Sequence, residues 1–314
     1  VIRDGGAIIE HFESTSGRPF QPSSPKQQIV STLFDLIGTS GLLRPAMHYR
    51  WNYLEENGEF LHYHFLHSQP EHPEREEKSQ YMMSKMQHAG RLFGVSPETI
   101  PLVETVYLEF LEALNQHLSE YPYLLGWKPS IGDFGLIAPL YAHLGRDPAP
   151  LRIMQQRAVR VARWVERMNR ADQDALEFFN PGDNYLADDS IPETLVAVLR
   201  VLAEDLVPET RAAAEVINQW LADNQPEPGT SAQGSLAQRM FGMAQFNLRG
   251  QCISAVAQSY RFVILQKLQQ QYARLDPAQQ RDVINLLRRC GLETLLTTRL
   301  DRQLGWSENQ DIWL

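Results

Sequence analysis

Arg44-Pro45-Ala46-Met47-His48-Tyr49-Arg50-Trp51 brings two arginines, a histidine, a tyrosine and a tryptophan into eight consecutive residues. Forked guanidinium groups and flat rings at that density suit an anionic or aromatic ligand, so Arg44, His48, Tyr49 and Trp51 form a candidate substrate pocket. The competing reading is an amphipathic helix end packed on its neighbours. His62, His64, His67 and His72 are also potential ligands, but offsets of two, three and five miss the i, i+4 placement that puts two imidazoles on one helix face. No metal is expected there. Asp183, Asp188 and Asp189 lack the spacing of a calcium loop and read as a solvated turn. Glu204, Asp205 and Glu209 cluster at a helix junction, with Glu209 assigned to the first turn of the second helix.

Helical periodicity governs the elements that must position these groups. Ala7, Ile8, Ile9 and Phe12 predict a first helix capped by Asp4, and Ile29, Val30, Leu33, Phe34, Leu36 and Ile37 predict a second. Between them, Gly17, Pro19, Pro22 and Pro25 have the turn chemistry of a linker. Leu102, Val103, Val106, Tyr107, Phe110, Leu111, Leu114 and Leu118 make the cleanest apolar stripe. Ser130 and Asp133 stand at capping-box spacing ahead of the stripe Leu136, Ile137, Leu140 and Tyr141, and are assigned to folding. Ile191-Pro192-Glu193-Thr194 and Val207-Pro208-Glu209-Thr210 each read as a helix start. Residues 253–272 and 277–296 read as two further helices, with Gln266, Gln269, Gln270 and Gln271 on the wet face of the first. Nothing after Arg3 reads as a strand.

Composition narrows the function. A net charge of -9 and a pI near 5.5 argue against a phosphate-tracking surface, so no nucleic-acid partner is expected. Cys252 and Cys290 imply no disulfide framework and fit a reducing compartment. No apolar run reaches the ~20 residues of a spanning helix, so a soluble, cytoplasmic protein without a membrane partner is expected.

The run from Leu124 to Leu144, with Gly126, the Ser130 and Asp133 box and the apolar helix behind it, resembles the helical domain of cytosolic glutathione transferases. Asp4 followed by Ala7-Ile8-Ile9-Glu10-His11-Phe12-Glu13 resembles the acidic residue and helix that end that family's thioredoxin-like half. Gly5 and Gly6 depart from it, replacing a small hydroxylated residue. The resemblance implies an all-α, glutathione-transferase C-terminal-like bundle. Its expected parts are a thioredoxin-like remnant and linker over 1–25, a helical domain over 26–189 and a helical extension over 190–314. It further implies glutathione as co-substrate, Arg3 and Asp4 at the γ-glutamyl group, and a catalytic Ser, Cys or Tyr upstream of Val1. The expected function is that of a glutathione-transferase-like protein acting on a small hydrophobic electrophile, with a homodimer left open. The alternative is a non-catalytic helical interaction module of the same fold.

Overall fold

The computed structural model describes residues 2, 5–170, 175–234 and 240–314. Helices α1 (Gly5–Thr15), α2 (Pro25–Leu36), α3 (Leu43–Trp51), α4 (Leu54–His67) and α5 (Arg75–Ala89) come first. They are followed by α6 (Ile100–His117), α7 (Ile131–Pro139), α8 (Pro148–Arg157), α9 (Val159–Met168) and the long α10 (Glu193–Asn224). An antiparallel hairpin of β1 (Gly242–Leu248) and β2 (Gln251–Ala257) then leads to α11 (Tyr260–Ala273) and α12 (Pro277–Cys290). A second hairpin, β3 (Leu304–Ser307) and β4 (Gln310–Trp313), closes the chain. The protein is mostly helical with two small sheets.

Those hairpins overturn the expectation that nothing after Arg3 forms a strand. Ala244, Phe246 and Leu248 are buried and alternate with exposed Gln245 and Asn247, a period of two that suits a half-buried strand. Arg249 and Gly250, both left-handed with φ of 49° and 87°, turn the chain in two residues. Pairing sets Phe246 opposite Ile253 and Ala244 opposite Ala255, so residues 253–257 belong to β2 and the helix begins only at Tyr260. Glu308 and Asn309, with φ of 50° and 62°, make the equivalent loop between β3 and β4.

Val207-Pro208 does not start a new helix either. Helix α10 runs through Pro208 for 32 residues, because Leu195, Leu199, Leu202, Leu206, Ala213 and Ile217 bury one continuous face. Burial along the whole length outweighs the one backbone donor that proline lacks.

The tightest helix crossing is that of α2 on α7. A Cβ on Gly135 would lie 2.5 Å from the Asp35 Cα, and one on Gly38 would lie 2.1 Å from the Gly135 carbonyl oxygen. At this crossing, Gly132 N donates to Ser31 Oγ at 2.9 Å. Behind it, Ser130 and Asp133 form the capping box that starts α7. The fully buried Asp133 carboxylate accepts from Ser130 N at 2.8 Å, Ser130 Oγ at 2.8 Å, Leu124 N at 3.1 Å and Trp164 Nε1 at 3.2 Å. Trp164, Leu199, Phe246, Leu268 and Trp313 belong with Ile29 to one hydrophobic cluster, so the helices before residue 190 and the elements after it share a core.

Candidate functional site

The linker that follows α1 turns sharply at Gly17 and Arg18, with φ of 76° and 56°. Buried Glu13 fixes its far side by accepting from Phe20 N at 3.2 Å. This turn holds α1 away from α11 and leaves a cleft of about 1070 Å³ between them. That volume lies just above the ~300–1,000 Å³ usual for small-molecule sites. Gly6, Ala7, Glu10, His11 and Ser14 form the α1 wall, at helical spacing. Tyr260, Val263, Ile264 and Lys267 of α11, with Arg274 just past its end, form the opposite wall, and Trp306 of β3 also lines the cleft with its ring 6.2 Å from that of Tyr260.

Charge is arranged across the cleft. Glu10 accepts from Arg18 Nη2 at 2.6 Å and from Lys267 Nζ at 3.4 Å, which ties α1 to its own linker and to α11. Partial burial opposes ionisation of Glu10, but Arg18 and Lys267 hold its carboxyl below the usual range. Three cations, Arg18, Lys267 and Arg274, face two carboxylates, Glu10 and Asp35, so the lining carries net positive charge in an acidic protein. The α11 wall is anchored from behind, where Thr32 Oγ1 donates to Gln271 Oε1 at 2.8 Å. Gln266 bonds both to Leu304 N and to Leu304 O, and Gln269 donates to Leu295 O and Thr298 O. Three of the four glutamines expected on a wet face therefore fasten α11 to its neighbours, and Gln270 alone is exposed.

Arg3 and Asp4 lie outside the described residues, immediately ahead of the first turn of α1. Arg44, His48, Tyr49 and Trp51 are all buried on α3 and do not line the cleft. Arg44 binds Asp205 and, at 3.0 Å, Glu209, while its Nε donates to Phe93 O at 2.9 Å. Glu209 also accepts from Arg261 Nη2 at 2.5 Å, so it belongs to an interior ion network and not to a helix first turn. His48 pairs with Glu104 at 2.9 Å and Asn52 at 2.9 Å, and Tyr53 donates to the same Glu104 oxygen at 2.7 Å. Trp51 packs against Phe65, and Tyr49 packs between Tyr53 and Tyr107.

Sequence reasoning passed over Lys267, Arg18 and Trp306, since none lies in a local motif. The signal present was the i, i+3, i+4, i+7 row of Tyr260, Val263, Ile264 and Lys267. It also read Asp189 as solvated, yet this carboxylate accepts from Lys26 N at 2.8 Å and Gln27 N at 2.9 Å and so caps α2 from a distant segment. Among the described residues no group of three or more His, Cys, Asp or Glu could hold a metal ion, and no helix is long and apolar enough to cross a membrane. No protein-family model, curated protein or solved structure matches the chain.

Proposed function

We propose that the chain is a glutathione-transferase-like protein that binds a glutathione-type thiol peptide in the cleft between α1 and α11. The observation that carries this reading is that the first turn of α1, at Gly6 and Ala7, lines the same cleft as Lys267 of α11 and Arg274 just past its end. A thiol tripeptide of this class has two carboxylates and one ammonium group. Arg18, Lys267 and Arg274 suit the carboxylates, and Glu10 and Asp35 suit the ammonium. Arg3 and Asp4, just ahead of α1 in sequence, would hold the γ-glutamyl end. Val263, Ile264 and Trp306 offer apolar surface for a small hydrophobic electrophile. The family's helical-domain fold is part of the same reading. The burial of Arg44, His48, Tyr49 and Trp51 favours a second one, a non-catalytic module that retains the cleft.

Retention on immobilised glutathione tests the binding. The wild-type chain should be retained, and Lys267→Ala and Arg18→Ala should elute earlier. No retention of the wild type, or identical elution of all three, sinks the proposal. Accelerated conjugation of glutathione to a chlorodinitrobenzene electrophile by the retained chain selects the first reading over the second.

A further inference from the structure

Glu10 bridges two cations, one on each carboxylate oxygen. Its Oε1 accepts from Arg18 Nη2 at 2.6 Å and its Oε2 from Lys267 Nζ at 3.4 Å. Both cations are positioned by other parts of the fold. Arg18 follows the turn at Gly17, which buried Glu13 pins by accepting from Phe20 N. Lys267 projects from α11, whose Phe262, Leu265 and Leu268 are buried in the shared core. Two cations held this way form an oxyanion site, and the protein's own carboxylate fills it.

Vacating that site costs little. The side chains of Glu10, Arg18 and Lys267 are 45%, 48% and 40% exposed, and ion pairs so open to water are weak. Apolar packing does not hold the carboxylate in place either. Helix α1 turns Glu10, His11 and Ser14 to the cleft, while Ile8 and Phe12 are exposed and Glu13 is the one described residue of α1 that is buried. Release needs only a rotation of the Glu10 side chain, and it leaves three cations, Arg18, Lys267 and Arg274, in a lining whose other carboxylate is Asp35.

We propose that Glu10 is a built-in competitor for the anion site of the cleft between α1 and α11. In the free protein it occupies Arg18 and Lys267, and a ligand carboxylate or sulfonate binds by displacing it. An uncharged ligand leaves those bonds intact. Glu10 therefore determines specificity, because it sets how strongly the cleft prefers an anionic ligand over a neutral one of the same shape. The inference rests on the proposed ligand-binding role of this cleft and names the bonds that the ligand's carboxylate must replace. Once displaced, Glu10 is free for the ligand's ammonium group.

Fluorescence titration with two probes of matched shape tests this: anionic anilinonaphthalene sulfonate and neutral phenylnaphthylamine. Neither carries an ammonium group, so the pairing of Glu10 with such a group does not enter. Glu10→Gln should bind the sulfonate about 2–10-fold more tightly than wild type, with the Kd of the neutral probe unchanged. Lys267→Met should weaken sulfonate binding, and in the double variant it should shrink the gain from Glu10→Gln. Unchanged or weaker sulfonate binding by Glu10→Gln overturns the proposal. So does an equal gain for both probes, which would make Glu10 a steric obstacle, or a gain that Lys267→Met leaves undiminished, which would place the probe elsewhere. The outcome is separable from the glutathione test. A chain that is not retained on glutathione but shows the sulfonate gain loses the glutathione reading and keeps the competitor; retention without the gain does the reverse.

Discussion

At the scale of single residues, burial decides which ionisable groups make the molecule sensitive to acid. His117 is completely buried, with Nδ1 accepting from Thr194 Oγ1 at 2.9 Å and Nε2–H donating to the Leu124 carbonyl at 3.0 Å. Burial pushes this imidazole down to about 4. A histidine neutral in the folded state and titrating near 6.5 when unfolded contributes stability that is complete above pH 6.5 and lost as pH falls through 4. Wild-type stability should therefore decline over that window by up to about 3 kcal/mol from this group. Asp205 acts oppositely, since burial lifts its carboxyl to about 6 and its contribution grows as pH falls from 6. Urea melts of wild type and His117→Gln at pH 7 and pH 4.5 separate the two effects. An equal pH slope in the variant would remove His117 from the account. For Asp133, replacement by Asn leaves one oxygen to meet four donors, and about 2–4 kcal/mol should be lost in the same melts. Asp133 was legible in the sequence because its main partner, Ser130, is three residues away. The Leu124 and Trp164 contacts depend on tertiary folding and were not.

At the scale of elements, the start of α2 shows why local reading stops short. Ser24 occupies the N-cap position but makes no capping bond with its side chain. The cap comes from Asp189, and Gln27 Nε2 answers by donating to Leu186 O at 2.7 Å and Ser190 O at 3.2 Å. Docking this way holds Asp188 and Asp189 in the left-handed region, with φ of 57° and 51°, a conformation that non-glycine residues adopt at a cost. Two substitutions should therefore move stability in opposite directions. Asp189→Ala should lose roughly 0.5–2 kcal/mol with the cap, while exposed Asp188→Gly should gain a few tenths by relieving the backbone. Equal effects of the two on the urea midpoint would contradict this account. Helices with an apolar stripe were readable because their signal lies within one element. The hairpins were not, because β2 is a short apolar run whose period is ambiguous without its partner. The turn residues Arg249-Gly250 and the alternation of Ala244, Phe246 and Leu248 carried a strand signal that the adjoining helical run of α11 obscured.

At the scale of the whole molecule, the segment after residue 190 shares one hydrophobic cluster with what precedes it. Helix α10 packs on α6 and on β1, α11 packs on α2, and the cleft has one wall from each part of the chain. Its charge complement was illegible in sequence for that reason, since Glu10 and Lys267 meet only after folding brings positions 257 residues apart together. A single hydrophobic cluster spanning Ile29 to Trp313 should unfold as one unit, since opening either part would expose the other's apolar surface to water. Native-state hydrogen exchange tests this directly. The slowest amides of α2 and α6 should exchange with the same free energy, and the same denaturant dependence, as those of α10 and α12. Trp313→Ala gives the complementary perturbation: its completely buried ring stacks on Trp220 and meets Phe241 edge-on, far in sequence from α2. The loss of about 3–5 kcal/mol expected for such a truncation should appear equally in the global exchange of α2 and α6. Two exchange plateaus dividing near residue 190, with only the C-terminal one lowered by Trp313→Ala, would show that the parts fold independently. The cleft between α1 and α11 would then be a junction between separately stable units.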